Sequence, residues 1–344
     1  MDSILLKQAL RASGEKPFRF KQVRTAVYSR LISDWDEATD LPAGLRETLK
    51  KSVPLSTVEA LTEAASRRGD TTKALMRLVD GNLIETVLMR HRDGRNTVCV
   101  SSQAGCAMRC AFCATGKSGF KRNLTADEVV DQVLHFARSL KKDGAHVTNV
   151  VFMGMGEPMH NFDAVMEAVR TLNGADGLEI GARHISISTC GIVPGIDRLA
   201  GEPLQINLAI SLHAPNDALR SKLMPVNAAY PLDRLMDAVR SYVEATNRRV
   251  LFEYLLTDGV NDTPELADEL ARLLAGNHLY HVNLIRFHRT GGFSPSPRER
   301  RDAFLARLKA RGISATHRVS FGEDIRAACG QLAGTKLESL KRKA

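Results

Sequence analysis

Aromatic residues are scarce in this sequence of 344 residues: Phe, Tyr and Trp make up 5%, with a single tryptophan. That leaves too few rings for a sheet-wide platform on which nucleic-acid bases stack. Apolar runs of about eighteen residues or more are missing, which excludes a conventional membrane-spanning helix. The start, MDSILLKQALRASGEK, lacks the basic stretch, apolar core and small-residue cleavage site of a secretory signal, so a cytoplasmic protein is expected. Acidic residues are outnumbered, with 39 Asp and Glu against 48 Lys and Arg, a net charge of +9. That sign suits a polyanionic partner, because each phosphate neutralised releases counterions, although many basic proteins never meet nucleic acid. Cysteine is sparse, six in all. In a reducing compartment a cluster of thiols means metal binding or catalysis more often than disulfides. No internal repeat or low-complexity tract occurs; the sequence closes on a basic stretch, KLESLKRKA, expected to fray.

What is present, 44% hydrophobic and 25% charged residues, describes a globular chain long enough for one large core and an appendage. Apolar positions recur at helical spacing in SILLKQALRAS, FKQVRTAVYSRLI and LPAGLRETLKKSV, so residues 1 to about 70 are expected to be helical. Asp80-Gly81 and Asp93-Gly94 then sit between β-prone runs, the signature of tight hairpins. From Thr97 onward strands and helices alternate. The strand candidates are 97–102, 147–153, 184–190, 206–213, 249–256, 280–287 and 315–321. The clearest helix, TADEVVDQVLHFARSLKK, opens with a capping box of Thr125 and Glu128. This alternation predicts an α/β fold with a parallel sheet, open or closed into a barrel, with chemistry at the C-terminal strand ends. GMGEP, STCG and SLH all fall at such ends. The organisation read from these patterns is a helical unit over 1–75, a connecting hairpin over 76–96, a core over 97–330 and a basic tail over 331–344.

Three of the six cysteines fall within CAMRCAFC, spaced C-x3-C-x2-C. Six cysteines placed at random would produce that triplet about 0.002 times. A structural zinc wants four ligands, usually in two separated pairs, and the sequence offers neither a second C-x2-C nor a paired-histidine motif. Three thiolates suit a cubane [4Fe–4S] cluster with one iron left without a protein ligand. An open iron can chelate a small molecule and pass it an electron. The glycines and acid of VVFMGMGEPMHN (Gly154, Gly156 and Glu157) would let backbone approach a ligand and would accept from an ammonium group. Alone, GMGEP more often marks a turn.

The triplet and the glycine-rich strand end resemble the radical S-adenosylmethionine (SAM) superfamily. Within it, FRFKQV, DGNLIETV, VCVSSQAGC, GFKRNLTADE, FMGMGEP, ISTCGIVP, SLHAPND, RSKLMPVN and EDIRAACGQLAG resemble the RlmN/Cfr family, which methylates ring carbons of an adenosine in 23S ribosomal RNA. The resemblance implies a partial (β/α)6 barrel with an N-terminal RNA-binding accessory domain. It implies Cys106, Cys110 and Cys113 as cluster ligands, and Gly156, Glu157, Ser188, Ser211, Leu212 and His213 as SAM contacts. It also implies that Cys329 is methylated by one SAM, and that a radical made from a second SAM takes hydrogen from that methyl group. The methylene radical then adds to the base. Cys99 removes the ring proton, and the adduct resolves with a Cys99–Cys329 disulfide that an external thiol reduces. Glu85 matches a residue assigned as an acid/base, although its place also fits a surface ion pair. An electron donor is needed, and a monomer is expected, with no membrane partner. Carbons 2 and 8 of adenine lie between two nitrogens and are too electron-poor to attack the methyl of SAM, which is why radical chemistry is required.

Read without the family, Cys99 and Cys329 are buried core cysteines, strand-end serines are caps, and His213 is a satisfied core histidine; Cys190 keeps its core reading throughout. One position departs from the pattern: the family has Asn-Pro where NLIRFHRT places His288 and Arg289, so His288 is expected to take over a SAM contact. Arg286, and FGEDI in place of an RG-x-DI run, lean towards the Cfr-type, carbon-8 branch. Lys117, Lys121 and Arg122, and Arg298, Arg300 and Arg301, are phosphate-gripping candidates or solvated surface. A transfer-RNA adenosine is an alternative or additional substrate. A zinc-stabilised RNA-binding or ribosome-assembly factor without catalysis would account for charge and cysteines but not for GMGEP or AACGQL.

Overall fold

The computed structural model describes residues 1–290 and 292–334. Helices Ser3–Ala12, Phe18–Arg24 and Ala43–Ser52 form the N-terminal part, the first capped by the Asp2 carboxylate, which accepts from the amides of Ile4 and Leu5. Leu6, Leu10, Val23, Leu45 and Leu49 turn inward around the single tryptophan, Trp35, whose indole donates to the Val53 carbonyl at 2.8 Å.

Helix ends there. The expectation of helix to about residue 70 gives way to two strands, β1 (Val58–Ala65) and β2 (Thr71–Leu78). The Ala- and Glu-rich segment VEALTEAA has helical propensity, but its antiparallel pairing with β2 overrides that weak preference. The expected break at residue 75 therefore falls inside β2. A meander continues through β3 (Leu83–Arg90) and β4 (Asn96–Cys99), joined at Gly81 and Gly94, both with positive φ, as the Asp-Gly turns predict.

All seven strands expected from Thr97 onward form, with trimmed ends. After β4 comes a separate antiparallel hairpin, β5 (Gln103–Gly105) with β6 (Phe120–Asn123). Then follow β7 (Asn149–Phe152), β8 (Ile185–Thr189), β9 (Asn207–Ser211), β10 (Val250–Leu256), β11 (Tyr280–Arg286) and β12 (Ala315–His317). The main sheet runs β1-β2-β3-β4-β7-β8-β9-β10-β11-β12, antiparallel to β4 and parallel beyond it. Helices Ala126–Lys142, Phe162–Asn173, Val193–Ala200, Leu232–Thr246, Pro264–Leu274 and Arg298–Ala310 alternate with the parallel strands. The first carries the expected capping box of Thr125 and Glu128 and buries Val129, Val133, Phe136 and Leu140. Val87 of β3 and Ile285 of β11 line the same cavity, so the sheet curves around it. Among the described residues no helix is long and apolar enough to cross a membrane. The basic stretch KLESLKRKA lies outside them.

Candidate functional site

A cavity of about 180 Å³ opens where the parallel strands end, and Cys106, Cys110 and Cys113 all line it. Cys106 follows β5 directly. The hairpin can close there because residue 105 is glycine, φ +76°; a Cβ would stand 1.8 Å from the Gly119 carbonyl oxygen. The loop is pinned by three amides: Cys106 donates to Gly119, Ala111 to Leu223 and Ala114 to Gly330, at 2.8–3.0 Å. All three thiols are free. Burial pushes Cys106 up to about 12 and Cys110 well above the usual thiol range, so thiolate there requires positive charge to offset it.

Two observations test whether an iron–sulfur cluster fits. Among the described residues no three His, Cys, Asp or Glu side chains converge closely enough to hold one metal ion. Cys106, Cys110 and Cys113 nevertheless all line one cavity from a single loop, and three thiols with no further protein ligand are the donor set of a cubane cluster. Behind the loop the Arg220 side chain is fully buried. Its Nη1 donates to Asn227 Oδ1 at 2.7 Å and its Nη2 to the Cys190 carbonyl at 2.6 Å, while Nε has no partner. No carboxylate among the described residues forms an ion pair with it. Burial lowers its pKa, and the neighbouring Cys190, Cys110 and Asp217 act in the opposite direction. The Asp217 carboxylate is reached only through Asn227, whose Nδ2 donates to Asp217 Oδ1 at 2.9 Å. A buried cation so thinly compensated is costly, and an anionic cluster on Cys110 would add negative charge beside it. The residues fit the group.

The glycines of FMGMGEP serve packing. A Cβ on Gly154 would lie 2.7 Å from the Val100 carbonyl oxygen, and one on Gly156 (φ +102°) 2.6 Å from Gln103 Cβ. Gln103 Oε1 in turn accepts from the Glu157 amide at 2.9 Å. The buried Glu157 carboxylate accepts from the amides of Met159 (3.0 Å) and Cys190 (2.8 Å), which fixes its orientation on the cavity wall. Ser188 and Ser211 face each other across the mouth, their Oγ atoms 3.4 Å apart. His213 also lines the cavity, in left-handed backbone conformation (φ 58°), its ring edge-on to Phe112 at 4.7 Å. Its Nδ1 accepts from the Leu255 amide at 3.1 Å, which leaves the proton on Nε2. Burial, reinforced by Arg220, takes its pKa down to about 3, so the ring stays neutral.

Cys99, at the end of β4, and Cys329 line the same cavity. Cys99 is buried and Cys329 exposed, and both are free thiols. Burial pushes Cys99 up to about 12, aided by Cys329 and opposed by Arg318. Arg318, also on the wall, donates to Glu253 Oε2 at 3.2 Å and to Met153 Sδ at 3.2 Å. Burial works against its charge; Glu253 and the two thiols more than offset that, and the guanidinium stays protonated. Sequence reasoning missed Arg318 and Glu253. The available signal was a single carboxylate inside the apolar run RVLFEYLL. Cys190 is buried in the core as expected, at a place that also borders the cavity beside Glu157.

Three expected site residues lie elsewhere. Leu212 is fully buried and does not line the cavity; its amide donates to the Glu253 carbonyl, because the chain turns into the core between Ser211 and His213. His288 is buried off the cavity wall: Nε2 lies 3.1 Å from Ser320 Oγ, and Nδ1 is 3.2 Å from Glu323 Oε1 without hydrogen-bond geometry. Glu85 forms an ion pair, but a buried one, with Lys73 Nζ at 2.8 Å, and it too is off the wall. Of the surface cations, Arg122 is engaged by Asp80 and Glu128, and Arg300 by Asp258 and Asp262.

The Radical SAM superfamily profile matches residues 100–274, and that of the ribosomal RNA large subunit methyltransferase N-terminal domain matches residues 1–55. A probable dual-specificity RNA methyltransferase RlmN of Geobacillus thermodenitrificans (strain NG80-2) is 48% identical over 329 residues, 95% of this chain and 90% of that protein. A ribosomal RNA large subunit methyltransferase N of Nitrosopumilus maritimus (strain SCM1) is 46% identical over 327 residues, 93% of each. The crystal structure of a radical SAM methyltransferase from Sphaerobacter thermophilus superposes with a TM-score of 0.93 at 50% identity, covering 97% of this chain and 98% of that one. These curated relatives carry the RlmN name, so the lean towards the Cfr-type branch gains no support. The chain belongs to the RlmN family of radical SAM RNA methyltransferases.

Proposed function

We propose that this enzyme methylates a ring carbon of an adenosine in 23S ribosomal RNA, with Cys329 as the methyl carrier and Cys99 as its partner. The observation that carries this is the meeting of Cys99, Cys329 and the triplet Cys106, Cys110 and Cys113 on one cavity, although Cys329 lies more than two hundred residues beyond the others. The triplet would hold the cluster, and Glu157, Ser188, Ser211 and His213 would orient SAM. Cluster and SAM, when bound, supply the one-electron chemistry that makes a carbon radical. His213 offers Nε2–H as a donor at any physiological pH, because its ring is not charged. Cys329, the exposed thiol, is reachable by a methyl donor and by a base. Cys99 lies deeper and burial holds it as the neutral thiol, Arg318 only partly opposing that. It would act as the proton acceptor for the ring carbon once it is deprotonated in the assembled site, where the Arg318 guanidinium would stabilise its thiolate. A Cys99–Cys329 disulfide would then release the base, and an external thiol and an electron donor would restore the enzyme.

The RlmN relatives favour carbon 2 over carbon 8, and the words dual-specificity in one relative's name give weight to a transfer-RNA substrate beside the ribosomal one. RNA of this kind implies a cytoplasmic site of action. The test is mass spectrometry of digested ribosomal and transfer RNA from cells with and without the gene. A gene-dependent 2-methyladenosine is expected in 23S RNA; absence of both 2- and 8-methyladenosine overturns the proposal. Cys329→Ala should abolish methylation, and Cys99→Ala should accumulate a protein–RNA cross-link.

A further inference from the structure

Glu85 reaches the segment that bears Cys329. Its Oε2 accepts from the amides of Ala333 at 2.6 Å and Gly334 at 3.1 Å. Its Oε1 pairs with Lys73 Nζ at 2.8 Å, and the two side chains are only 4% and 3% exposed. Lys73 Nζ also donates to the Arg326 carbonyl at 3.1 Å. One buried ion pair therefore grips the chain on both sides of Cys329. Between the grips, Gly330 O accepts from the Ala114 amide at 2.8 Å and Leu332 O from Thr115 Oγ1 at 2.6 Å, residues that directly follow Cys113.

The gripped segment has few hydrogen bonds of its own. Arg326, Gly330 and Gly334 all have positive φ, and Ala327 to Gly334 form no strand or helix. Within the segment two hydrogen bonds link Ala328 with Gln331. The Arg326 and Ala327 amides donate back to Glu323 and Gly322, and the remaining hydrogen bonds reach outwards, to Lys73, Glu85, Ala114, Thr115 and Ser118. Glycine is needed at 334 because a Cβ there would lie 2.7 Å from the Leu83 carbonyl oxygen at the start of β3. Burying a carboxylate and an ammonium is unfavourable unless both are paired and fully hydrogen-bonded, and here the hydrogen bonds go to this segment.

We propose that Lys73 and Glu85 form a clasp that seats the 326–334 strap against the cavity, making Glu85 a positioning residue for Cys329 and not a proton-transfer group. The clasp spans β2 and β3, so the antiparallel extension of the sheet gains a role in setting the thiol's place. Its functional meaning rests on Cys329 being the methyl carrier; its existence does not.

Hydrogen exchange read by mass spectrometry on the anaerobically reconstituted full-length holoprotein tests it, with Glu85→Gln and Lys73→Met. A glutamine has one acceptor oxygen; turning it to the strap amides leaves its NH2 against the Lys73 ammonium. Peptides covering 327–334 should exchange about tenfold faster in either variant, as expected for the loss of one charge-assisted hydrogen bond. A reference peptide over β8 should be unchanged, and methyl transfer from SAM to Cys329 should slow with KM for SAM unaltered. Exchange rising equally in both regions overturns the clasp, since that is general loosening. Loss of turnover in Glu85→Gln with strap exchange and Cys329 methylation at wild-type rates also overturns it, in favour of proton transfer. A strap that responds while wild-type Cys329 never accepts a methyl group supports the clasp and refutes the methyl-carrier reading instead.

Discussion

Arg220 has the least complete surroundings of any charged residue described at the site: a fully buried guanidinium with three neutral acceptors, on Asn227, Tyr230 and Cys190, no carboxylate in direct contact and an unpaired Nε. Replacing it by methionine should leave the apoprotein at least as stable, because a neutral side chain of similar volume removes the desolvation cost. The reconstituted variant should hold less iron, and its cluster potential should fall on the order of 50 mV, where 59 mV corresponds to about 1.4 kcal/mol for one electron. Full iron content with an unchanged potential would show that Arg220 does not answer the cluster. His213 gives a pH prediction. Its folded pKa of about 3 lies below the ordinary value of 6.5, so the unfolded chain binds the extra proton between those limits. Stability is therefore intact above pH 6.5 and is lost as pH falls through that window, by about 1.4 kcal/mol per pH unit. His213→Asn, which keeps an acceptor for the Leu255 amide, should flatten the slope by that amount in urea titrations of the apoprotein between pH 7 and 5. The cysteine triplet was legible from spacing alone. Arg220, Arg318 and Glu253 were not, because their meaning lies in partners that the fold brings from distant strands.

At the scale of elements, FMGMGEP shows how packing and ligand geometry share residues. Gly156 leaves room for the Gln103 side chain, Gln103 fixes the Glu157 amide, and the Glu157 carboxylate is set by the helical turn that follows β7. Gly156→Ala puts a methyl group 2.6 Å from Gln103 Cβ in backbone that disfavours any side chain. We expect a loss of about 1–3 kcal/mol in denaturant unfolding together with weaker SAM binding by calorimetry. Unchanged SAM affinity would mean that Glu157 does not depend on this chain of contacts. Strands, turns and the capping box were readable because period-two runs, Asp-Gly pairs and Thr125-x-x-Glu128 act locally. The β1–β2 pair was misread because its composition favours helix and only its neighbours in the sheet decide otherwise.

At the scale of the whole molecule, the net charge of +9 is a weaker guide to RNA binding than the pairing of individual cations. Arg300 is neutralised by Asp258 and the buried Asp262, so it belongs to the fold. Arg301 is different: burial and the like charges of Arg286 and Arg298 depress its pKa, with Asp302 and Glu299 offsetting this only in part, and an anionic partner would relieve the remaining crowding of positive charge. Removing one cation that neutralises a phosphate should flatten the dependence of log binding constant on log salt by about 0.7–0.9. Binding of a 23S RNA fragment between 50 and 300 mM KCl, about the range in which such slopes are resolved, separates the two arginines. Arg301→Ala should weaken binding and flatten the slope by close to that amount, whereas Arg300→Ala should leave the slope alone. Equal slopes for wild type and Arg301→Ala would move the RNA-facing surface away from the start of the Arg298–Ala310 helix. The Lys121 side of the β5–β6 hairpin, next to the Cys106 loop, would then be the surface to test.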